Sequence, residues 1–203
     1  MPVVMRHGFP PTRPGMVIGL LGGSFDPAHA GHAHITREAL KRLDLDRVWW
    51  LVSPGNPLKA RGPVSLDRRM ARARAVMQDP RVAVTDVEAR LGTRHTARTI
   101  AALQNRLPGV RLVWLMGADN MAQVHLWRDW TEIFARVPVA VLARPDQRGP
   151  ARHSPAAERL RRAYVPVWAA RGLGRRDPPA WTFLDMPMHD ASSTRIRRAG
   201  GWD

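Results

Sequence analysis

Residues 22–35 read GGSFDPAHAGHAHI and follow directly on the apolar stretch Val17–Leu21. An apolar run of that length, broken by paired glycines and a proline and then resumed with helical spacing, reads as a buried strand, a loop and a helix. In ITREALKRL, Ile35, Ala39, Leu40 and Leu43 fall on one helical face. Gly22 and Gly23 are expected to turn the chain tightly and bring amide groups close to a ligand, with Pro27 stiffening the exit. A helix starting near Gly31 would aim its N-terminus at the same space, where its dipole favours an anion by about 0.3–1 kcal/mol. His29 and His32 are three apart, so both imidazoles share one face of that helix. A phosphate chain suits these features. His34 reads as an ordinary surface or core residue. A metal site made of His29, His32 and His34 would need ligands that the stretch does not supply, so no metal site is assigned.

Outward from this loop, apolar β-branched runs alternate with amphipathic segments. RVWWLVS (47–53) reads as a second strand closed by the breakers PGNP. Ser65 is placed to cap a helix over 66–77, RVAVTDVE (81–88) reads as a third strand, and a helix spans Thr96–Leu107. VRLVWLMG (110–117) and PVAVLAR (138–144) are further strands, separated by the short helix WTEIFARV (130–137). WTFLDM (181–186) is a last strand, and SSTRIRRAG (192–200) a capped helix start. Strands apolar at every position, alternating with helices, predict an α/β fold. The expectation is a Rossmann-like, doubly wound parallel sheet of about five to six strands in a single domain. Residues 1–15 are expected to form a mobile arm. Within the domain at 16–203, the Arg/Pro-rich stretch around 145–180 is expected to be an insertion or lid, with one helix near Ala156–Ala163.

Composition narrows the function classes. The 203 residues suffice for one well-buried domain, and 44% hydrophobic content is ordinary for such a fold. No apolar run approaches the ~20 residues of a membrane helix, and the N-terminal stretch has no apolar signal-peptide segment. With no cysteine, a disulfide framework and a thiolate metal site are both excluded, and the cytoplasm is the default compartment. The net charge of +15 raises a nucleic-acid partner. Yet Lys41 and Lys59 are the only lysines, a skew that GC-rich codon usage would produce, and the arginines are scattered instead of forming a stripe. That argues against general nucleic-acid binding and for a positive field that steers a phosphorylated small molecule.

Two signatures carry a family resemblance. GSFDPAHAGH resembles the phosphate-binding signature of the nucleotidyltransferases that carry an HxGH element, here His29-Ala30-Gly31-His32. SSTRIR (192–197) resembles their second signature, ISSTxIR, with Ala191 in place of the leading isoleucine. Between them, SPGNPLK (53–59), GADN (117–120), LWRDW (126–130) and VLARP (141–145) are similar to the bacterial nicotinate-nucleotide adenylyltransferase family. The likeness spans Met16–Arg197 and is weak over 148–179. Where that family often shows SYTxDTL, this chain has RHTARTI. It keeps Thr96 and Thr99 but has His95 and Arg98 at the tyrosine and aspartate positions.

The resemblance implies transfer of the adenylyl group of ATP to nicotinate mononucleotide, giving the deamido dinucleotide and pyrophosphate, with Mg2+ carried by ATP. By the same resemblance, Gly22, Gly23, Ser24, Phe25, Gly117 and Asp119 meet ATP, as do Ser192, Ser193 and Thr194. His29, His32 and Arg197 contact the phosphates and are the catalytic candidates, His32 foremost. Asn56, Lys59, Thr96, Trp127 and Arg144 are the candidates for the mononucleotide, with Trp127 stacked on the pyridine ring. Trp49, Trp50 and Trp114 sit in strand patterns and are assigned to the core. Alternatives of other kinds are a transferase acting on nicotinamide mononucleotide or another phosphorylated acceptor, and a non-catalytic nucleotide- or nucleic-acid-binding protein. The sequence leaves room for a homo-oligomer.

Overall fold

The runs VIGLLGG, RVWWLV, RLVWLMG and VAVLA have no polar face, so a sheet built from them must be covered on both sides. The computed structural model describes residues 8–55, 64–143, 148–187, 193–200 and 202. Six strands form one sheet: β1 (Val17–Gly23), β2 (Arg47–Val52), β3 (Val82–Thr85), β4 (Arg111–Gly117), β5 (Val139–Ala143) and β6 (Trp181–Asp185). Their order is β3-β2-β1-β4-β5-β6 and every neighbouring pair is parallel. The crossovers are α1 (Ala30–Arg42), α2 (Leu66–Val76), α3 (Val87–Leu91), α4 (Thr96–Arg106), α5 (Ala118–Gln123) and α6 (Trp130–Arg136). After β5 come α7 (Arg148–Arg152) and α8 (Pro155–Arg159), and α9 (Ser193–Arg198) follows β6.

Alternation along the strands sorts the core into two layers. Ile18, Leu20, Trp49 and Leu51 point to the side covered by Ile100 and Leu103 of α4, Met121 of α5 and Phe134 of α6. Val17, Leu21, Val48 and Trp50 point to the other, against Ala33 and Leu40 of α1 and Met70 and Ala73 of α2. Trp49, Trp50 and Trp114 are all buried, as the strand patterns predict. On α1 the buried stripe is Ala33, Thr36, Ala39 and Leu40, continued by Leu43, whereas Ile35 is only half-buried. Thr36 replaces it because its hydroxyl is needed inside: it accepts the Trp50 indole N–H at 2.7 Å and donates to the His32 carbonyl at 2.9 Å.

Three local expectations are corrected. The third strand stops at Thr85, because Asp86 leaves extended geometry (φ −96°, ψ 27°) and the chain winds into α3 until Gly92 ends it in the left-handed region at φ 63°. Ser65 occupies the N-cap of α2 without making a side-chain cap bond. The helix expected over 156–163 is split, with α8 capped by Ser154 onto the Ala157 amide at 3.2 Å and a 3-10 turn over Arg161–Ala163.

Of the 145–180 stretch, the described residues are folded onto the sheet. Ala151, Ala156 and Ala157 join one core layer, while Val165, Ala170 and Leu173 join the other through a 3-10 segment at Val167–Arg175. Of the arm expected at 1–15, residues 1–7 lie outside the described residues, and Phe9 is buried in the first core layer.

Gly174 lies so close to β1 and β4 that a Cβ there would overlap the Val17 side chain and press on Val113. Gly174→Ala is therefore expected to destabilise the protein by about 1–3 kcal/mol in urea unfolding, as overpacking does. A change below about 0.5 kcal/mol would show that the 3-10 segment does not press on the sheet.

Candidate active site at the strand ends

In a parallel sheet of this order the connections diverge between β1 and β4, and the carboxyl ends of those two strands open a crevice. The loop after β1 and the start of α1 fill one side of it, and the start of α5 the other. Gly22 and Gly23 are the last residues of β1, paired with Leu51 and Val52, and neither takes a positive φ. The expected tight glycine turn is thus displaced by two residues: Phe25 is the left-handed residue, at φ 47°. Phe25 is held there by burial, stacked on Trp50 with ring centroids 4.9 Å apart and packed on His32 at 4.8 Å. Gly22 has a different reason to be glycine, since a Cβ would overlap the Trp114 ring.

His29 is the N-cap of α1, and its Nδ1 accepts the Gly31 amide at 3.1 Å. His32 Nδ1 accepts the His29 amide in return, at 3.2 Å, and the two rings lie 4.0 Å apart. The His32 amide bonds the His29 carbonyl at 2.9 Å. The amides of His29, Gly31 and His32 are therefore engaged inside the loop, so the open amide cradle expected at this helix start is replaced by imidazole. An N–H accepted at Nδ1 leaves Nε2 to carry the hydrogen of a neutral ring. Burial among Phe25, Trp50 and His29 pulls the His32 pKa down from 6.5 to about 3, with a further contribution from the neighbouring His29 charge. His32 is then an uncharged donor at neutral pH.

The second signature closes on the first. Ser193 Oγ donates to the Pro27 carbonyl at 3.0 Å, and Arg197 donates to the Asp26 carbonyl and, at 3.4 Å, to Thr194 Oγ1. Trp202 adds an indole N–H to Asp26 Oδ1 at 2.7 Å, with the Arg68 guanidinium 4.8 Å from its ring centre. From the other flank, Arg69 of α2 donates to the Ser24 and Ser53 carbonyls, both at 2.7 Å.

On the far side, Gly117 is the N-cap of α5, and the Asp119 carboxylate lies over its α-carbon, where a Cβ would overlap it. Asp119 is exposed and makes no cap bond, and no hydrogen bond to it occurs among the described residues. Thr96 begins α4 and Trp127 follows the turn Val124–Leu126, both half-buried. Ser192, Asn56, Lys59 and Arg144 lie outside the described residues. Beneath the α3–α4 turn, burial pushes the Glu88 carboxyl up to about 7, opposed by the Thr99 hydroxyl 3.3 Å away. Thr99 in turn shares a 2.8 Å hydroxyl contact with Thr93.

Comparison with known proteins decides the family. The cytidylyltransferase-like family profile matches residues 20–199. A protein of Ruegeria pomeroyi named as a probable nicotinate-nucleotide adenylyltransferase is 65% identical over 98% of this chain and 93% of its own length. One of Roseobacter denitrificans with the same name is 63% identical over 98% of this chain and 100% of its own. The chain belongs to the nicotinate-nucleotide adenylyltransferase family, within the cytidylyltransferase-like proteins. The fold agrees. Plasmodium falciparum nicotinic acid mononucleotide adenylyltransferase complexed with NaAD superposes with a TM-score of 0.67 at 13% identity, over 90% of this chain and 83% of that one. The same enzyme complexed with APC gives 0.66.

Asp26, Arg69 and Trp202 were not legible as site residues in an adenylyltransferase of this sequence. Arg69 had one available signal: it stands four and eight residues before the buried Ala73 and Met77, in register with an apolar stripe.

His32 and Glu88 oppose each other with pH. A neutral, half-buried His32 contributes stability that is complete above 6.5 and lost as pH falls towards 3. A neutral buried Glu88 contributes stability that is complete below 4.5 and lost as pH rises through about 7. In urea unfolding from pH 3 to 8, His32→Gln should flatten the rise of stability with pH and Glu88→Gln should flatten the fall. Unchanged slopes would show that these groups are not buried uncharged.

Proposed function

We propose that the chain transfers the adenylyl group of ATP to nicotinate mononucleotide, releasing pyrophosphate and giving nicotinate adenine dinucleotide (deamido-NAD) in NAD biosynthesis, among the soluble nucleotides of the cytoplasm. The observation that carries this reading is the meeting of both signatures on one loop, with Ser193 and Arg197 bonded to Pro27 and Asp26 beside the His29–His32 pair.

The reaction needs little covalent help. A phosphomonoester with a second pKa of about 6 is largely a dianion at neutral pH, so it is already a nucleophile. Its oxygen forms a bond to the α-phosphorus, the bond from that phosphorus to the bridging oxygen breaks, and the electron pair leaves with pyrophosphate. No proton has to be removed. What the protein supplies is in-line positioning, worth about 7–11 kcal/mol at best, and fixed donors for the developing charge.

Each side chain has a role in this reading. His32 Nε2, in a ring kept neutral and oriented through Nδ1, donates to the transferring phosphate, and His29 acts likewise. Arg197, with Ser192, Ser193 and Thr194, meets the β- and γ-phosphates. Gly22, Gly23, Ser24 and Phe25 form the backbone wall, and Asp119 accepts from a ribose hydroxyl at the edge of Gly117. Trp127 stacks on the pyridine ring and Thr96 meets its carboxylate. Asn56, Lys59 and Arg144 complete the mononucleotide side. Among the described residues no cluster of three or more His, Asp or Glu side chains could hold a metal ion. In this reading a magnesium ion arrives on the phosphate oxygens of ATP and keeps most of its water.

Purified protein with ATP and magnesium is expected to release pyrophosphate with nicotinate mononucleotide, and much more slowly with the nicotinamide nucleotide. Turnover with neither sinks the reading, and preference for the amide moves it to the neighbouring substrate. His32→Ala should lower kcat by about 10²–10³-fold while the mononucleotide KM changes by less than about threefold. Equal losses in kcat and in mononucleotide binding would remove His32 from the transition state.

A further inference from the structure

Arg69 is the most deeply buried charge among the described residues, at 1% exposure, and adenylyl transfer as derived above makes no use of it. Its guanidinium has no ion pair with a carboxylate among the described residues. It spends its donors on backbone carbonyls instead: Nε to Val64 and Nη1 to both Ser24 and Ser53, each at 2.7 Å, with Nη2 3.5 Å from Pro54. Burial pulls its pKa below the ordinary guanidinium value, with the Asp26 carboxylate partly restoring it. Taking a cation out of water is costly, and an apolar side chain would fill the same space without that cost. A planar fork with five N–H groups is the one side chain that can bind carbonyls from several directions at once.

The carbonyls come from three places. Ser24 lies in the loop after β1, Ser53 and Pro54 directly follow β2, and Val64 is where the chain returns to start α2. One guanidinium therefore ties Ser53 at the end of β2 and Val64 ahead of α2 to the loop that carries the histidine pair. We propose that Arg69 is a positioning residue for adenylyl transfer: it fixes the loop after β1, on the triphosphate side, against Ser53 and Pro54 at the end of β2, on the acceptor side, so that the two phosphates meet in line. The inference rests on the adenylyltransferase reading.

Misalignment of bound reactants slows the chemical step more than it weakens binding. Arg69→Met is expected to lower kcat per folded enzyme by about 30-fold or more, with the KM for ATP and for nicotinate mononucleotide each changing by less than about fivefold. Arg69→Lys keeps the charge but not the fork, and is expected to recover only part of kcat, remaining about tenfold below wild type. Folded fractions come from near-UV circular dichroism and thermal unfolding of the same samples. Values of kcat per folded enzyme within about threefold of wild type in both variants would overturn the proposal and leave Arg69 a purely structural brace. Full recovery of kcat in Arg69→Lys, or a loss confined to the KM of one substrate, would overturn it in favour of simple electrostatic attraction. Should Arg69→Met not fold, the split is read from Arg69→Lys. Wild-type turnover is measured in parallel: its absence sinks the adenylyltransferase reading and this inference together, whereas normal wild-type turnover with unaffected variants sinks the inference alone.

Discussion

The backbone carbonyls of Ser24, Asp26 and Pro27 belong to a loop that leaves β1 and has not yet entered α1, so no strand or helix supplies their donors. All three are bonded by side chains remote in sequence: Arg69 from α2, then Arg197 and Ser193 from α9. An unpaired buried carbonyl costs as much as a lost hydrogen bond, so this loop keeps its shape only while those distant groups are docked. The histidine pair, the left-handed Phe25 and the stack on Trp50 all depend on that shape. Packing of the sheet and construction of the site are therefore coupled at one short loop, with its supporting side chains drawn from two remote helices, α2 and α9.

The same economy governs the imidazoles. A histidine that spends Nδ1 on a backbone amide has a fixed tautomer and a fixed ring direction, and a pocket of aromatic rings keeps it uncharged. An uncharged donor can follow the growth of negative charge on a phosphate without first binding that phosphate as a tight ion pair. Permanent charge comes from Arg197, docked on the same loop, and from the general surplus of arginine in the chain. In the proposed reaction, recognition of the triphosphate and stabilisation of the transfer would thereby fall to different kinds of side chain.

Much of this architecture is written locally. Strands apolar at every position announced a sheet buried on both faces, and the placement of Trp49, Trp50 and Trp114 follows from their strand positions alone. His29 and His32 were legible because both signals, helical spacing and a strand end, sit within one short stretch. The features that were not legible depend on remote partners. Nothing near Phe25 says that Trp50 will pin it in a conformation usually left to glycine. Nothing in LDRRMARARAVM separates Arg69 from its neighbours except register with Ala73 and Met77. The stretch around 145–180 read as an insertion or lid because arginine, proline and alanine dilute its apolar pattern, and a 3-10 segment has no 3.6-residue stripe. Its small residues are what allow the backbone to lie directly on the sheet.

The docking of α9 onto the β1 loop also sets an order of events during synthesis. Residues 24–27 emerge from the ribosome early, and β1 finds β2 and β4 among the segments that follow it. The donors for Asp26 and Pro27 appear only after β6 has closed the sheet. A nascent chain can thus hold nearly all of its sheet while the loop that carries the histidine pair still lacks the two donors that α9 brings.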